Sequence, residues 1–297
     1  MSHALRDITL SRVLVLGSRG MVGRAWTGLL CAHGIAYDAL GRDRFDLTDQ
    51  SLLEATDFSR YDLVVNCAAW TDVDGAEAQY EDAHLVNAEA VVLLGKACAR
   101  AGTRFVTYST DYVFNGCGAE PYQTDETRDP INAYGRSKAQ GEEGLRALAN
   151  EAHADNWLCI RTSWVYAPWG KNFVRTIAGL AQSRSEIQVV SDQHGRPTSA
   201  EGLARTSLAL VLADATGFFH ATDVGACSWF EFAREIVRLI GADCQVRACS
   251  SDAFPRPAKR PHNSVLDLSK TEELVGAMIP WQHALADVVR RMGITKE

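Results

Sequence analysis

Residues 13–23 read VLVLGSRGMVG, an apolar and β-branched run that leads into three glycines. An apolar run of this length is typical of a buried strand. Glycines placed between a strand and a helix allow a tight turn, close approach of the main chain to a pyrophosphate, and close helix packing. Because glycine spacing alone is a weak signal, Gly17, Gly20 and Gly23 are candidate cofactor-binding residues whose role depends on the rest of the chain.

The alternation of a short apolar run with a segment of helical periodicity recurs along the first half of the chain. Apolar runs lie near residue 65, at 104–110 and at 157–164, and helical segments at 21–33, 83–101 and 134–152. Such alternation builds parallel sheets through right-handed crossovers. The sequence therefore predicts an α/β fold, a Rossmann-like doubly wound parallel sheet that binds ligands at the carboxyl ends of its strands.

After residue 168 the pattern becomes less regular. Helices are expected at 172–183 and 200–214, with a short strand, EIQVV, and a polar loop, SDQHGRPTS, between them. We expect residues 1–168 to form an NAD(P)-binding Rossmann domain, to which the chain returns around 187–223. Residues 169–297 are expected to form mainly a smaller mixed α/β lobe that binds the substrate, with Trp229 packed inside it.

Composition excludes several classes of function. The chain has 297 residues and a formal net charge of −7, so no overall basic field is present to attract nucleic acid or an anionic membrane. No apolar stretch reaches the ~20 residues that span a bilayer, and the first residues lack the order of a secretory signal. The eight cysteines show no metal-ligand spacing with histidine. We expect a cytoplasmic protein with reduced core thiols, no metal-binding residues among the candidate site residues, and no nucleic-acid or membrane partner.

The end of the predicted second strand, ALGRDRFDLTD, bears on the choice of cofactor. An arginine at this place can pair with a 2′-phosphate, so Arg42 favours NADPH. Asp43, one residue later, leaves NADH possible, and a solvated charge cluster is the alternative interpretation.

The segment YGRSK places Tyr134 and Lys138 one helical turn apart. A free phenol titrates near 10, and a neighbouring ammonium is expected to lower that pKa, which yields a tuned acid/base. Thr110, in YSTDYVFNG at the end of a predicted strand, can donate a hydrogen bond to a substrate carbonyl. Together with the glycine turn, these residues predict a nicotinamide-dependent reductase.

From residue 13 to about residue 270 the chain resembles the extended short-chain dehydrogenases/reductases, and among them the dTDP-4-dehydrorhamnose reductase family. The distinctive stretches are NCAAWTDVDGAE, YSTDYVFNG, YGRSK, RTSWVYA, NFVRTI, VVSDQHGRPT, GFFHATDVGACSWFEFA and RPHNSVLDLSK. The sequence departs from the family's usual wording at Cys67, Trp70 and Gly75, which leaves the exact sugar open.

The resemblance implies reduction of the C4 keto group of dTDP-4-dehydro-L-rhamnose with NADPH, NADH being possible. Thr110, Tyr134 and Lys138 match the family's catalytic triad, and the last two also meet the cofactor. Further positions that match the family's cofactor contacts are Gly20, Met21, Val22, Asp46, Leu47, Ala68, Ala69 and Thr71. The residues expected at the nucleotide-sugar are Thr110, Asp111, Tyr112, Trp164, Asn172 and Arg260.

Two alternative functions remain open. One is the reduction of another dTDP-4-keto sugar. The other is a non-catalytic regulatory role like that of the methionine adenosyltransferase β subunits, which resemble the same family. Some relatives form magnesium-bridged dimers, so Mg²⁺ and a homodimer are possible, although no acidic spacing in this sequence marks such a site.

Overall fold

The computed structural model describes residues 9–152 and 154–294. In chain order the strands are β1 (Arg12–Leu16), β2 (Ala36–Leu40), β3 (Leu63–Asn66), β4 (Arg104–Thr110), β5 (Trp157–Thr162), β6 (Val165–Tyr166), β7 (Glu186–Val190), β8 (His194–Gly195), β9 (Thr198–Ser199), β10 (Gly217–His220), β11 (Cys227–Ser228) and β12 (Gln245–Cys249). Six of them form the central sheet, in the order β10-β5-β4-β3-β1-β2. Every pairing in that sheet is parallel.

Helices connect these strands. In chain order they are α1 (Met21–Ala32), α2 (Gln50–Ala55), α3 (Gly75–Ala78), α4 (Tyr80–His84), α5 (Ala90–Ala101), α6 (Ala133–Ala152), α7 (Phe173–Ser183), α8 (Ala200–Leu212), α9 (Trp229–Ile240), α10 (Ser269–Val275) and α11 (Trp281–Arg291). A π-helical turn, Leu85–Glu89, lies between α4 and α5. Short 3-10 turns occur at Phe58–Arg60, Asp111–Val113 and Ser251–Ala253.

The two faces of the central sheet carry separate hydrophobic cores. Successive side chains of a strand point to opposite faces, and on β1 Val13 belongs to one core and Leu14 to the other. The first core contains the buried indole of Trp26 from α1, and the second contains Leu94 from α5. Helices therefore cover both faces, as in a doubly wound α/β fold, and the predicted fold class is confirmed.

The chain returns to the central sheet within the expected interval 187–223, but not through the first residues of that interval. Residues 187–190 belong to β7, which pairs with β12 outside the sheet, where Ile187 stands beside Val246. β7 alternates buried and exposed residues, whereas β5 is buried throughout, so β7 suits a sheet with one solvated face. The return is made by α8, which packs on α1, and by β10, which pairs with β5. The division into two domains stays a prediction.

The lobe formed by α7, α9, α11 and β7 has its own core. Its buried members include Val174, Ile187, Phe232, Trp281 and Leu285. The ring of Phe232 stacks with that of Phe173 and meets Trp281 edge-on. Aromatic packing therefore joins α7, α9 and α11 in one core.

The cysteines differ from the expectation of core thiols. All eight are free, but Cys31 and Cys117 are exposed, and Cys98, Cys159 and Cys227 are buried. Separately, no helix within residues 9–152 and 154–294 is long and apolar enough to cross a membrane.

Candidate active site

The glycine turn brings the carboxyl ends of β1 and β3 together. Gly17 has a φ of +68°, a conformation that favours glycine, and a Cβ at this position would lie 2.5 Å from the main-chain nitrogen of Ala68. A Cβ at Gly23 would collide with the main-chain oxygen of Gly17, so α1 can begin this close to the strand because position 23 has no side chain. The turn is therefore packed too tightly for larger residues at either position.

The N-terminus of α1 opens into a cleft of about 670 Å³. Gly20 is the N-cap residue and no side chain caps the helix, which leaves the amides of its first turn available to an anion. The predicted cofactor residues that line this cleft are Gly17, Gly20, Met21, Val22, Arg42, Asp46, Leu47, Ala68, Ala69, Thr71, Tyr134 and Lys138. Gly23 does not line the cleft but packs against the main chain of Gly17. A glycine cradle with free amides fits a dinucleotide pyrophosphate.

Two arginines stand at the mouth of the cleft. Arg42 pairs with Asp46 at 3.1 Å and is largely exposed, and Arg19 pairs with Asp43 at 2.8 Å. The main chain and hydroxyl of Thr48 donate hydrogen bonds to Asp46, and these lower the pKa of its carboxyl. Arg19 was missed by the sequence predictions, because a charged residue inside a glycine turn has no motif of its own.

Helix α6 carries Tyr134 and Lys138 to the carboxyl end of β4. The Nζ of Lys138 donates a hydrogen bond to the main-chain oxygen of Tyr108, 2.9 Å away. A Cβ at Gly135 would collide with the main-chain oxygen of Tyr112, so the first turn of α6 lies directly against the segment after β4. The rings of Tyr112 and Tyr134 meet edge-on, with centroids 6.1 Å apart.

The expected lowering of the tyrosine pKa is wrong for this arrangement. Burial raises the pKa of Tyr134 well above its usual value, and the hydroxyl of Thr110 only partly opposes that effect. Burial also lowers the pKa of Lys138 to about 8, and its ammonium is directed at the Tyr108 carbonyl. At neutral pH Tyr134 is therefore a protonated phenol, the form that can donate a proton.

Thr110 lies between Tyr134 and a buried carboxyl group. Its hydroxyl donates to Oδ1 of Asp111 at 2.9 Å and accepts from the main-chain nitrogen of Tyr112. Burial raises the pKa of Asp111 to about 6. In the part of the chain that the structure describes, Oδ2 of Asp111 has no hydrogen-bond partner. Neither Thr110 nor Asp111 lines the cleft, but Ser109, the residue before Thr110, does.

Trp164 occupies a strained position next to the lobe. Its φ is +48°, and its indole stacks on Trp229 with ring centroids 3.5 Å apart. A Cβ at Gly195 would lie 2.6 Å from the same indole, so Gly195 leaves room for the ring. Because Trp229 covers one face of Trp164, that face is not available to a sugar. Trp229 packs against the hydrophobic core of the lobe, as expected, and the stack joins Trp164 to that core.

Asn172 is the N-cap residue of α7. Its Oδ1 accepts from the main-chain nitrogen of Arg175, and its Nδ2 donates to the main-chain oxygen of Ala167 at 2.9 Å. The side-chain amide is thus engaged at both ends by the chain itself. These contacts hold the loop before α7 against α1, where Asn172 also approaches the sulfur of Met21.

Arg260 lies in a second cleft of about 830 Å³, which Arg256 and Lys259 also line. Both terminal nitrogens of Arg260 donate to Asp74, at 2.5 and 2.9 Å. Asp74 follows β3, so this pair ties the loop before α10 to the cofactor side of the sheet. Burial lowers the pKa of Arg260, but the hydrogen bonds with Asp74 raise it. The net effect is an increase in that pKa.

Metal binding has no visible basis in the described ranges, 9–152 and 154–294. No group of three or more histidine, cysteine, aspartate or glutamate side chains there is arranged to hold a metal ion.

Comparisons with known proteins agree with this geometry. A family model described as the RmlD substrate binding domain matches residues 11–294. A dTDP-4-dehydrorhamnose reductase of Streptomyces griseus is 41% identical over 266 residues, which cover 87% of this chain and 86% of the relative. A dTDP-4-keto-6-deoxy-D-glucose reductase of Streptomyces niveus is 40% identical over 257 residues, covering 86% and 88%. The crystal structure of a dTDP-4-dehydrorhamnose reductase from Bacillus anthracis in complex with NADP is similar with a TM-score of 0.89 and 31% identity, covering 95% of this chain and 100% of that one.

Proposed function

Because this chain belongs to the family of dTDP-4-dehydrorhamnose reductases, we propose that it reduces the C4 keto group of dTDP-4-dehydro-L-rhamnose with NADPH to give dTDP-L-rhamnose. The observation that carries the proposal is a single cleft lined by the glycine turn, by Tyr134 and by Lys138. In this proposal the cleft holds a nicotinamide cofactor beside Tyr134 and Lys138, which is the arrangement that a carbonyl reductase needs.

The cofactor is held by the glycine turn and the first amides of α1. When bound, the nicotinamide supplies the hydride. Arg19 and Arg42 stand where a 2′-phosphate would add negative charge, which favours NADPH over NADH. The Bacillus anthracis relative, crystallised with NADP, supports the same choice.

The proton for the new hydroxyl comes from Tyr134. Burial keeps its phenol protonated at neutral pH, so the O–H can be transferred to the alkoxide that forms at C4. The ammonium of Lys138 stabilises the phenolate left behind, and Thr110 orients the substrate carbonyl beside Tyr134. A second cleft is the proposed site of the substrate diphosphate, because Arg256, Lys259 and Arg260 line it, beside Asp192 and Asp252.

The sugar itself is in contact with residues around Thr110 in this proposal. Asp111, Tyr112 and Trp164 adjoin the acid/base pair or the lobe, and we propose that they contact the nucleotide-sugar. Asn172 acts on the substrate indirectly, by holding the loop before α7, because its amide is already occupied. A homodimer and a cytoplasmic location stay predictions.

A second candidate is the reduction of a different dTDP-4-keto sugar. The Streptomyces niveus relative, a dTDP-4-keto-6-deoxy-D-glucose reductase, is as similar to this chain as the Streptomyces griseus enzyme is. Overall identity alone therefore does not separate the two sugars.

A purely regulatory role is a different alternative, and the complete set of Thr110, Tyr134 and Lys138 disfavours it.

The test is a comparison of two substrates. Purified protein is mixed with NADPH and either dTDP-4-dehydro-L-rhamnose or dTDP-4-keto-6-deoxy-D-glucose, and loss of NADPH absorbance is followed, with NADH as the parallel cofactor. NMR of the product identifies the sugar. We expect faster turnover of the rhamnose precursor with NADPH. Turnover of the glucose derivative alone would favour the second candidate, and tight NADPH binding without turnover of either would favour the regulatory role.

A further inference from the structure

A buried ion pair lies behind the acid/base pair. Glu142 on α6 and Arg161 on β5 are each 1% exposed. Nε and Nη2 of Arg161 donate to the two carboxylate oxygens of Glu142, at 2.9 and 2.7 Å. This bidentate geometry is the strong form of an arginine–carboxylate pair. Two charges this deeply buried are costly to maintain without compensation, so their retention calls for a reason.

Around Arg161, the negatively charged partner of its guanidinium is Glu142. Its Nη1 donates to the main-chain oxygen of Thr124 at 2.9 Å, and the rings of Phe114 and Phe218 stand 5.0 Å from the guanidinium. The other polar neighbour is His220, whose pKa burial lowers to about 3, so its ring is neutral.

Glu142 stays ionised because of this partner. Burial opposes ionisation, but the hydrogen bonds and charge of Arg161 outweigh it, and the pKa of Glu142 is lowered. Arg128 adds a further donor at 3.2 Å. A carboxylate is therefore held permanently inside the protein.

The position of Glu142 links it to the reaction. Tyr134, Lys138 and Glu142 follow one another at intervals of four residues and share one face of α6. Burial lowers the pKa of Lys138, and the two neighbouring groups that raise it are Cys159 and Glu142. Because burial keeps the Cys159 thiol protonated, Glu142 is the one of these two that carries a negative charge at neutral pH.

The other titratable groups around the lysine carry no charge at neutral pH. Cys159 lies near it on β5 and Tyr134 shares its helix, and burial raises the pKa of both. Tyr108 meets the lysine through its main-chain oxygen, and its phenol is hydrogen-bonded with Trp26 and Ser207 instead. Asp111, beyond Thr110, acts on Tyr134, whose pKa it raises.

We propose that Glu142, held in place by Arg161, is a positioning residue that keeps the ammonium of Lys138 protonated while the carbonyl is reduced. The inference rests on the proposed function, in which protonated Lys138 stabilises the phenolate of Tyr134. Lys138 has a pKa of about 8, so the active form is complete below that pH and is lost as the pH rises through it. The charge of Glu142 sets the pH at which Lys138 loses its proton and activity declines.

The experiment is a pH profile of kcat for the substitution Glu142→Gln. Glutamine keeps the size of the side chain and removes its charge, so the alkaline limb should move to lower pH by roughly one pH unit, as expected for the loss of a neighbouring opposite charge. Glu143→Gln is the matched control, because Glu143 is the next residue and is exposed. Its profile should coincide with that of the wild type. A Glu142→Gln profile that is lower at every pH but unmoved would overturn the proposal.

The single substitution leaves Arg161 buried without its partner, which destabilises proteins strongly. The double variant Glu142→Gln with Arg161→Met removes both charges and should recover thermal stability relative to the single variant. Its alkaline limb should still lie below that of the wild type, because the anion is missing. A wild-type limb in the double variant contradicts the role of Glu142.

The shift in the pKa of Lys138 can also be measured without a keto-sugar substrate, through the pH dependence of NADPH binding. The Kd for NADPH is measured across pH by fluorescence in the wild type and in both Glu142 variants, since Lys138 lines the cofactor cleft. Weakening that begins at lower pH in both variants supports the proposal, and identical pH dependence in all three proteins contradicts it. Failure of the proposed function would appear separately, as absence of turnover in the wild type.

Discussion

The ammonium of Lys138 is joined to the main-chain oxygen of Tyr108 by a 2.9 Å hydrogen bond. Tyr108 belongs to β4, so this bond fixes the face of α6 to the strand that ends at Thr110. Tyr134, one turn before Lys138, is thereby held next to Thr110. The hydrogen bond therefore fixes Tyr134 and Lys138 on α6 relative to Thr110 at the end of β4.

Removing the phenolic hydroxyl should stop the reaction without emptying the cofactor site. For Tyr134→Phe we expect kcat to fall by roughly 10²–10⁴-fold, the usual range for loss of a general acid. NADPH affinity should change little, because the ring remains in the cleft. Tyr80→Phe is the control, since Tyr80 packs in the same small cluster and its hydroxyl bonds Gln140 on the surface. Steady-state kinetics with wild-type kcat for Tyr134→Phe would refute the mechanism.

The glycine turn can be tested with two alanine substitutions of matched backbone conformation. Gly17 and Gly34 have φ of +68° and +67°, but a Cβ at Gly17 would collide with Ala68, and one at Gly34 would meet nothing within 4 Å. Both variants should lose some thermal stability. Gly17→Ala should also weaken NADPH binding by about tenfold or more, because overpacking costs about 1–3 kcal/mol.

Equal NADPH affinity in the two variants, measured by fluorescence titration, would show that the turn does not shape the cofactor site. The comparison works because the backbone strain is common to both positions, so that the difference between them reports the collision alone.

The two arginines at the mouth of the cleft should set the cofactor preference. Arg42→Ala and Arg19→Ala are each expected to lower the ratio of kcat/KM for NADPH to that for NADH by about two- to fivefold, since an exposed ion pair contributes about 1 kcal/mol or less. Arg44→Ala serves as the comparison, because Arg44 is exposed on the same loop and does not line the cleft. An unchanged ratio after loss of both arginines would remove them from cofactor recognition.

Arg260 should act on the nucleotide-sugar alone. Arg260→Ala is expected to raise the KM for the keto sugar by about tenfold or more, because loss of a charged hydrogen-bonding partner costs about 1.5–3 kcal/mol. The KM for NADPH should stay near that of the wild type. Arg256→Ala should have the smaller effect, since Arg256 is more exposed and 3.9 Å from Asp74. A rise in the KM for NADPH would place Arg260 at the cofactor instead.

Local patterns were sufficient to predict the glycine turn and the pair on α6. Gly17 follows a buried strand, and Tyr134 and Lys138 share a helix, so sequence spacing carries the geometry. Arg19 could not be predicted in this way, because its position over the cleft depends on β2, which is adjacent only in the sheet.

The electrostatics of the site were the least predictable part. A neighbouring ammonium lowers a phenol's pKa, but burial has the opposite effect on Tyr134, and burial is a property of the folded chain. The pairing of Glu142 with Arg161 joins a helix to a strand, and no local periodicity relates the two. The placement of β7 beside β12 is likewise a long-range contact.

The position of strand β10 affects how the chain folds. It forms the edge of the central sheet beside β5, yet the chain reaches it only after passing through part of the lobe. A fragment ending at residue 168 would expose the edge of β5 and would lack α8, which covers α1. Exposed edges and uncovered apolar faces favour aggregation. We therefore expect that the first half of the chain does not fold on its own, and that the two halves unfold in one cooperative transition.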